Sequence, residues 1–196
     1  MNQASRKRNQ VNIRCLIRPQ LVPDWPLGGV LFAVALFGLY LPFLAPSTVG
    51  GDAGELVAAA CGLGVPHPPG YPLHLALSAL AIRTGAALTP VSWQLEPAWW
   101  VSSLSASFMA DAVGLIGAMV AAWSEPIRNA RAAGAFAALG FAGSPIVWEY
   151  AVTPEVFALH AFLVATLIYC VVFRPKDVLA LGIVAGLGAA HHHTLV

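Results

Sequence analysis

The chain has 196 residues, 58% of them hydrophobic and 10% charged, with a formal net charge of +1 and a mean hydropathy of +0.73. That balance excludes an ordinary soluble domain, and no nucleic-acid partner is expected of it. Apolar runs longer than about 18 residues recur, which predicts an all-α polytopic membrane protein.

In chain order, residues 1–25 read as a basic, disordered tail. Five of the ten basic residues (Arg6, Lys7, Arg8, Arg14, Arg18) stand there, ahead of the first apolar run. The positive-inside rule puts this N-terminus in the cytoplasm. Residues 26–196 then form one transmembrane module of about five spans. Leu27–Ala45 is the first, and no small-x-small cleavage site follows that would make it a signal peptide. Residues 46–71 are polar for this chain and rich in glycine and proline. Leu73–Leu88 is apolar but carries His74 and Arg83. Trp99–Trp123 is a long apolar helix interrupted by Asp111. Ser124–Arg131 is a charged turn. Ala132–Trp148, Val156–Phe173 and Val178 to the end are three more apolar segments, the last two separated by Arg174, Pro175, Lys176 and Asp177. Cys15, Cys61 and Cys170 are scattered without metal spacing and read as packing residues.

Charge parity turns this series into a topology. With the N-terminus inside, the 46–71 loop lies outside, and Arg128, Arg131, Arg174 and Lys176 belong to cytoplasmic turns. The parity closes only if Leu73–Leu88 lies in the outer interface instead of spanning, as His74 and Arg83 in its body also suggest. The external loop then runs from Pro46 to about Pro97 and carries two surface helices. Ser144–Glu155 and the terminal histidines His191, His192 and His193 fall on the same side, near His160. Asp111 alone is left within the membrane, read as a satisfied interior acid on a helix that also carries Ser102, Ser103, Ser105 and Ser107.

The polar residues concentrate in two motifs, Gly51-Asp52-Ala53-Gly54-Glu55 and His67-Pro68-Pro69-Gly70-Tyr71-Pro72. Asp52 and Glu55 have the spacing of a capping box for a helix Ala53–Leu63, a structural role that leaves a catalytic one open to Asp52. Gly50 and Gly51 let the backbone approach a ligand. His67 begins a stiff turn and stands well for an anion. Thr153-Pro154-Glu155 reads as an N-cap, an N1 proline and a first-turn acid. Trp148 and Tyr150 suit an interfacial aromatic belt. Three adjacent histidines on a helix turn about 100° from one to the next, so His191, His192 and His193 alone do not make a metal site.

Gly51-Asp52-Ala53-Gly54-Glu55-Leu56, the run Leu63 to Leu73, Trp148 to His160 and the closing His-His-Thr together resemble the DUF2723 family. Its members are membrane proteins related to the protein O-mannosyltransferases and include the transmembrane protein 260 type. The resemblance covers about residues 27–196. It implies the N-terminal part of a GT-C glycosyltransferase-like module, with interfacial helices and a catalytic acid in the first external loop. Asp52 maps to that acid, and Glu155 lies in the second external loop, where relatives often carry another. Ala53 stands where serine is expected, and Phe157 where tyrosine is common. GT-C enzymes have more spans than this chain, which therefore reads as an N-terminal fragment.

The implied reaction moves a sugar, a hexose such as mannose, from a polyprenyl-phosphate donor to a hydroxyl acceptor at the external or lumenal face. A protein serine or threonine, or a glycan, is the expected acceptor, and membrane lipids are the surroundings. The assignment is a multi-pass protein of a bacterial inner membrane. Asp52 is the expected general base, with Glu55 orienting the acceptor or holding the loop. His67 and Arg83 are placed at the lipid phosphate, and Tyr71, Glu155, His160 and His192 in the substrate pocket. No resident metal is assigned, although a divalent ion is compatible. Two other classes fit the composition: a transporter using Asp111 as part of its path, and a non-catalytic assembly protein in which the acids are only caps.

Overall fold

The computed structural model describes residues 25–90, 95–124, 128–192 and Thr194, with side chains from Gly29 onward. The basic tail and Cys15 lie outside these residues, as does His193. Among the described residues, eight α-helices run in the order α1 (Trp25–Tyr40), α2 (Ala53–Gly62), α3 (Pro72–Leu88), α4 (Pro97–Trp123), α5 (Ala130–Ala142), α6 (Pro145–Val152), α7 (Phe157–Phe173) and α8 (Val178–His191). A short 3₁₀ turn at Leu41–Phe43 extends α1. The described chain is all-helical, as the composition predicts.

Helix α4 is the axis of the bundle and packs against α1, α2, α3, α5, α6 and α7. Its residues explain that position. Ser102, Ser105, Ala106, Ala110, Gly114 and Gly117 are all buried, and small side chains let neighbouring helices approach closely. At Gly134 of α5 the backbones themselves meet, and a Cβ there would stand 2.4 Å from the Gly117 carbonyl oxygen. Leu36, Tyr40, Met109, Val113 and Val147 fill the core around this axis. Trp148 meets Tyr40 and Phe43 edge-on.

At 27 residues, α4 is the helix long and apolar enough to cross a membrane. Helices α5 and α6 pass that test together, but they are bent by 70°. The apolar run expected from Ala132 to Trp148 is therefore two helices. Ser144 is extended (φ −65°, ψ 129°) ahead of Pro145, which opens α6 at a position where its missing N–H is not needed. Helices α1, α7 and α8 have 16, 17 and 14 described residues, short of the roughly 20 that a perpendicular span needs. By length and composition the described residues thus hold one candidate span, or two if the bent pair counts as one.

Two local readings are corrected. The triplet Thr153-Pro154-Glu155 does not open a helix. Thr153 is extended at the end of α6, where its hydroxyl donates back to the Glu149 carbonyl, and α7 begins at Phe157 after Val156. Asp111 is not a satisfied interior acid either, because it is exposed on α4. The serines around it donate elsewhere: Ser102 to the Ala45 carbonyl, Ser103 to Trp100, Ser105 to Glu155 and Ser107 to Leu104. Of the cysteines, Cys170 is buried and packs as expected, whereas Cys61 is exposed.

Candidate functional site

Helix α2 and the turn before α3 hold the two motifs face to face. Gly51 has φ +75°, a left-handed backbone that a side chain would strain, and it turns the chain into α2. The Asp52 carbonyl accepts the first helical bond from Leu56 N–H at 2.9 Å, but the Asp52 side chain caps nothing. Glu55 does not return a bond to it. Both halves of the capping box are therefore missing, because Glu55 is engaged across the loop. Its Oε1 accepts the His67 backbone N–H at 2.6 Å, and its Oε2 lies 2.8 Å from His67 Nδ1.

The other face of the imidazole looks at Asp52, with Nε2 3.6 Å from Oδ2. Placed between two carboxylates, the ring favours its doubly protonated form. The Glu55 hydrogen bond is the main cause raising the His67 pKa above its ordinary value. The same bonds from His67, side chain first, hold the Glu55 carboxyl below its own. All three side chains keep substantial solvent exposure, so these shifts describe a charged, oriented loop more than a store of stability. One ligand atom from each of Asp52, Glu55 and His67 lies within 4.8 Å of the others, a set able to accept a divalent cation.

From His67 the chain turns through Gly70 (φ +89°), whose N–H reaches the His67 carbonyl at 3.0 Å. Tyr71 follows, also left-handed at φ +46°, which is strained for a residue with a side chain. Its ring is buried against Leu56 of α2 and Val156, so packing holds the conformation. Pro72 then opens α3. The phenol oxygen is 3.5 Å from His67 Nε2. Burial, then the charge of Asp52, raises the Tyr71 pKa, so the phenol stays protonated.

The third contribution comes from the connection between α6 and α7. A Cβ on Gly51 would stand 3.8 Å from Glu155 Oε1, so the glycine that turns the chain also faces this acid. Ser105 of α4 donates to the Glu155 carbonyl at 3.3 Å and fixes the segment to the bundle axis. Burial first, and then repulsion from Asp52, push the Glu155 pKa upward. Behind Tyr71 stand histidines from two more helices. The ring centre of His192 is 5.6 Å from that of Tyr71 and 5.5 Å from that of His160.

Seven of the eight expected site residues (Asp52, Glu55, His67, Tyr71, Glu155, His160 and His192) thus form one cluster. Arg83 does not join it. It is exposed on α3 some three turns beyond Tyr71, or about 18 Å along the axis at 1.5 Å per residue, and pairs with no described acid. Two members had been given no site role from sequence. His74 is buried in the first turn of α3, and His191 is buried at the end of α8, with ring centres 6.3 Å apart.

Fold and site together describe an all-helical protein whose acids and imidazoles gather where three inter-helix connections meet. The chain belongs to the family described as the protein O-mannosyl-transferase TMEM260 N-terminal domain, which matches residues 52–196. It is 33% identical over 147 residues to a protein named protein O-mannosyl-transferase tmem260 from Dictyostelium discoideum, covering 75% of this chain and 17% of that protein. Its identity to the Mus musculus protein O-mannosyl-transferase TMEM260 is 32% over 185 residues, 88% of this chain and 25% of the relative. The chain therefore spans a quarter or less of the length of these curated relatives. No solved structure matches it. The family match begins at Asp52, so the acid loop lies inside the related region.

Proposed function

We propose that this chain is the N-terminal, acid-bearing part of a membrane glycosyltransferase of the GT-C type. The enzyme moves a hexose such as mannose from a polyprenyl phosphate to a hydroxyl acceptor, a protein serine or threonine, at the external or lumenal face. The observation that carries the reading is the convergence of Asp52, His67 and Glu155 from three inter-helix connections. Sugar transfer from a lipid phosphate needs a base for the acceptor and a positive or donor group for the departing phosphate. The names of the two relatives give the sugar and the reaction class.

In this mechanism the acceptor hydroxyl lies against Asp52. Its oxygen attacks the anomeric carbon as the bond from that carbon to the lipid phosphate oxygen breaks, and the hydroxyl proton passes to the Asp52 carboxylate. Asp52 suits the base role because its side chain is not engaged in capping α2. Glu55 is the positioning acid, holding His67 by two bonds so that a charged imidazole faces the phosphate. Glu155, His160, Tyr71 and His192 line the sugar side. Arg83 is not given a phosphate role, since it stands away from the cluster. A divalent ion held by Asp52, Glu55 and a deprotonated His67 would, when bound, supply the positive charge at the phosphate in place of the imidazolium.

The multi-pass arrangement belongs to the same proposal. Apolar side chains stand exposed on α1 (Val30, Leu31, Val34) and α8 (Val178, Leu179, Ile183), as faces turned to lipid or to further helices do. Lipid-dependent sugar transfer by the full-length protein carrying Asp52→Asn tests the assignment. A loss of turnover is expected, and near-wild-type turnover by a folded variant overturns it.

A further inference from the structure

Beneath the acid loop lies a second group of titratable side chains that this mechanism does not use. His74 of α3 and His191 of α8 are 2% and 1% exposed, and His160 of α7 is half-buried beside them. The ring centre of His191 is 6.3 Å from that of His74 and 5.9 Å from that of His160. The Nδ1 atoms of all three are shielded from solvent and have no hydrogen-bond partner among the described residues. A polar atom left so in an interior costs on the order of 1–3 kcal/mol, which calls for an explanation at one position and more so at three.

The hydrogen bond of the opposite ring nitrogen defines what His191 offers. His191 Nε2 lies 3.1 Å from the Val156 carbonyl oxygen. A carbonyl only accepts, so Nε2 carries the proton and Nδ1 presents a bare lone pair. His74 Nε2 lies 3.3 Å from the Ser78 hydroxyl, which holds that ring in place through its other nitrogen. A ring that donates one N–H to a backbone carbonyl and keeps its other nitrogen bare is the arrangement of a metal-ligating histidine with its outer partner in place. Among the described residues, no carboxylate is hydrogen-bonded to any of the three rings.

We propose that His74, His160 and His191 bind a borderline transition-metal cation of the zinc class through their Nδ1 atoms, tying α3, α7 and α8 together under the acid loop. Zinc–imidazole bonds of about 2.0–2.1 Å put ring centres of a closed tetrahedral shell about 5 Å apart, so binding includes an inward shift of about 1 Å for each pair measured. The site is separate from Asp52, Glu55 and His67, whose oxygen-rich set favours harder ions. It does not depend on the glycosyltransferase reading.

The test uses the full chain, purified in detergent on a tag without histidine and stripped with a chelator. Zinc binding is followed by titration calorimetry, and cobalt(II) by its visible spectrum. The expected result is one equivalent of zinc and intense tetrahedral cobalt bands. Both are lost, with affinity down more than about 100-fold, in His74→Ala and His191→Ala, since removing a ligand exceeds the 10- to 100-fold typical of an outer partner. His160→Gln, at a less buried position, gives the same readout where the other variants do not fold. Asp52→Asn with Glu55→Gln retains the signal. The proposal is overturned by absence of stoichiometric zinc, by zinc retained after the histidine changes, or by zinc lost with the acid changes, which puts the ion on the exposed loop.

Discussion

The packing of α5 on α4 offers a sharp comparison because one helix carries two glycines in opposite situations. A Cβ at Gly134 would meet the Gly117 oxygen at 2.4 Å, the Ala121 Cβ at 2.7 Å and the Ala121 backbone nitrogen at 3.2 Å. Two of these neighbours are backbone atoms of α4, so nothing swings aside and the helices must part. At Gly140 nothing lies within 4 Å. Gly140→Ala should gain about 0.5–1 kcal/mol from lower backbone freedom in the unfolded chain. Gly134→Ala gains the same term but adds an overpacking cost of about 1–3 kcal/mol. The two variants should therefore differ by about 1–3 kcal/mol, or roughly 2–12 °C in melting temperature at 2–4 °C per kcal/mol for a chain of this size. Tryptophan fluorescence during heating in detergent measures the difference. Equal melting temperatures for Gly134→Ala and Gly140→Ala would refute the close α4–α5 crossing. The contact matters for the site because α4 also carries Ser105, which holds the Glu155 segment.

Three further predictions concern the loop. Asp52→Asn should lower sugar transfer by about 10²- to 10⁴-fold, the usual contribution of a positioned base, whereas Arg83→Gln should leave it within a few-fold, since Arg83 lies outside the cluster; equal losses in a donor-dependent transfer assay would contradict the geometry. The Glu55–His67 brace has a pH window: raised above 6.5, His67 contributes fully below that value and loses its contribution as pH climbs through its folded pKa, while Glu55, lowered from 4.5, contributes above that value and loses it as pH falls through its own folded pKa. Protection of the His67 amide, taken relative to the intrinsic exchange rate at each pH, should thus be greatest between about pH 4.5 and 6.5, and a protection factor that does not change with pH would count against the brace. Glu155 has the opposite sign, because its raised pKa means that ionising it costs stability above 4.5. Glu155→Gln should raise the melting temperature at neutral pH and lower transfer, and a drop in both would give Glu155 a purely structural role.

Much of the helix plan was legible because long apolar runs end at prolines and charges. The structure begins α3 at Pro72, α4 at Pro97 and α8 at Val178, each within two residues of the boundaries read from the pattern. The break at Pro145 was hidden for a physical reason: Ile146, Val147 and Trp148 continue the apolar run, so hydropathy does not mark the 70° bend that the backbone takes there. The site residues were visible as a polar island, and charge parity brought the loops and the histidine end together without any distance. What could not be read was the choice each side chain makes among partners. The spacing of Asp52 and Glu55 is right for a capping box, yet His67 offers Glu55 two donors, one of them on a ring of positive charge, and wins. The pairing of His74 with His191 was hidden for a related reason: the pattern assigns neither a partner, and only the packing of α3 on α8 makes them neighbours.

The two acids of the opening loop are therefore not equivalent, although composition and spacing treat them alike. Glu55 makes two charge-assisted bonds to a single residue, and any role as a base would break at least one of them and release His67. Asp52 sits at the start of α2 with its side chain uncommitted to a cap. Its one close partner is the His67 ring, at 3.6 Å, too long for a strong hydrogen bond. A base must be ionised before the reaction and able to turn its oxygen to the acceptor during it. Asp52 meets the second condition, and Glu55 does not. Glu155, half-buried and repelled by Asp52, meets the second condition less well as a base but suits a group that donates or accepts a hydrogen bond within the pocket. This division of roles follows from bond partners alone, and so it stands or falls separately from the identity of the sugar.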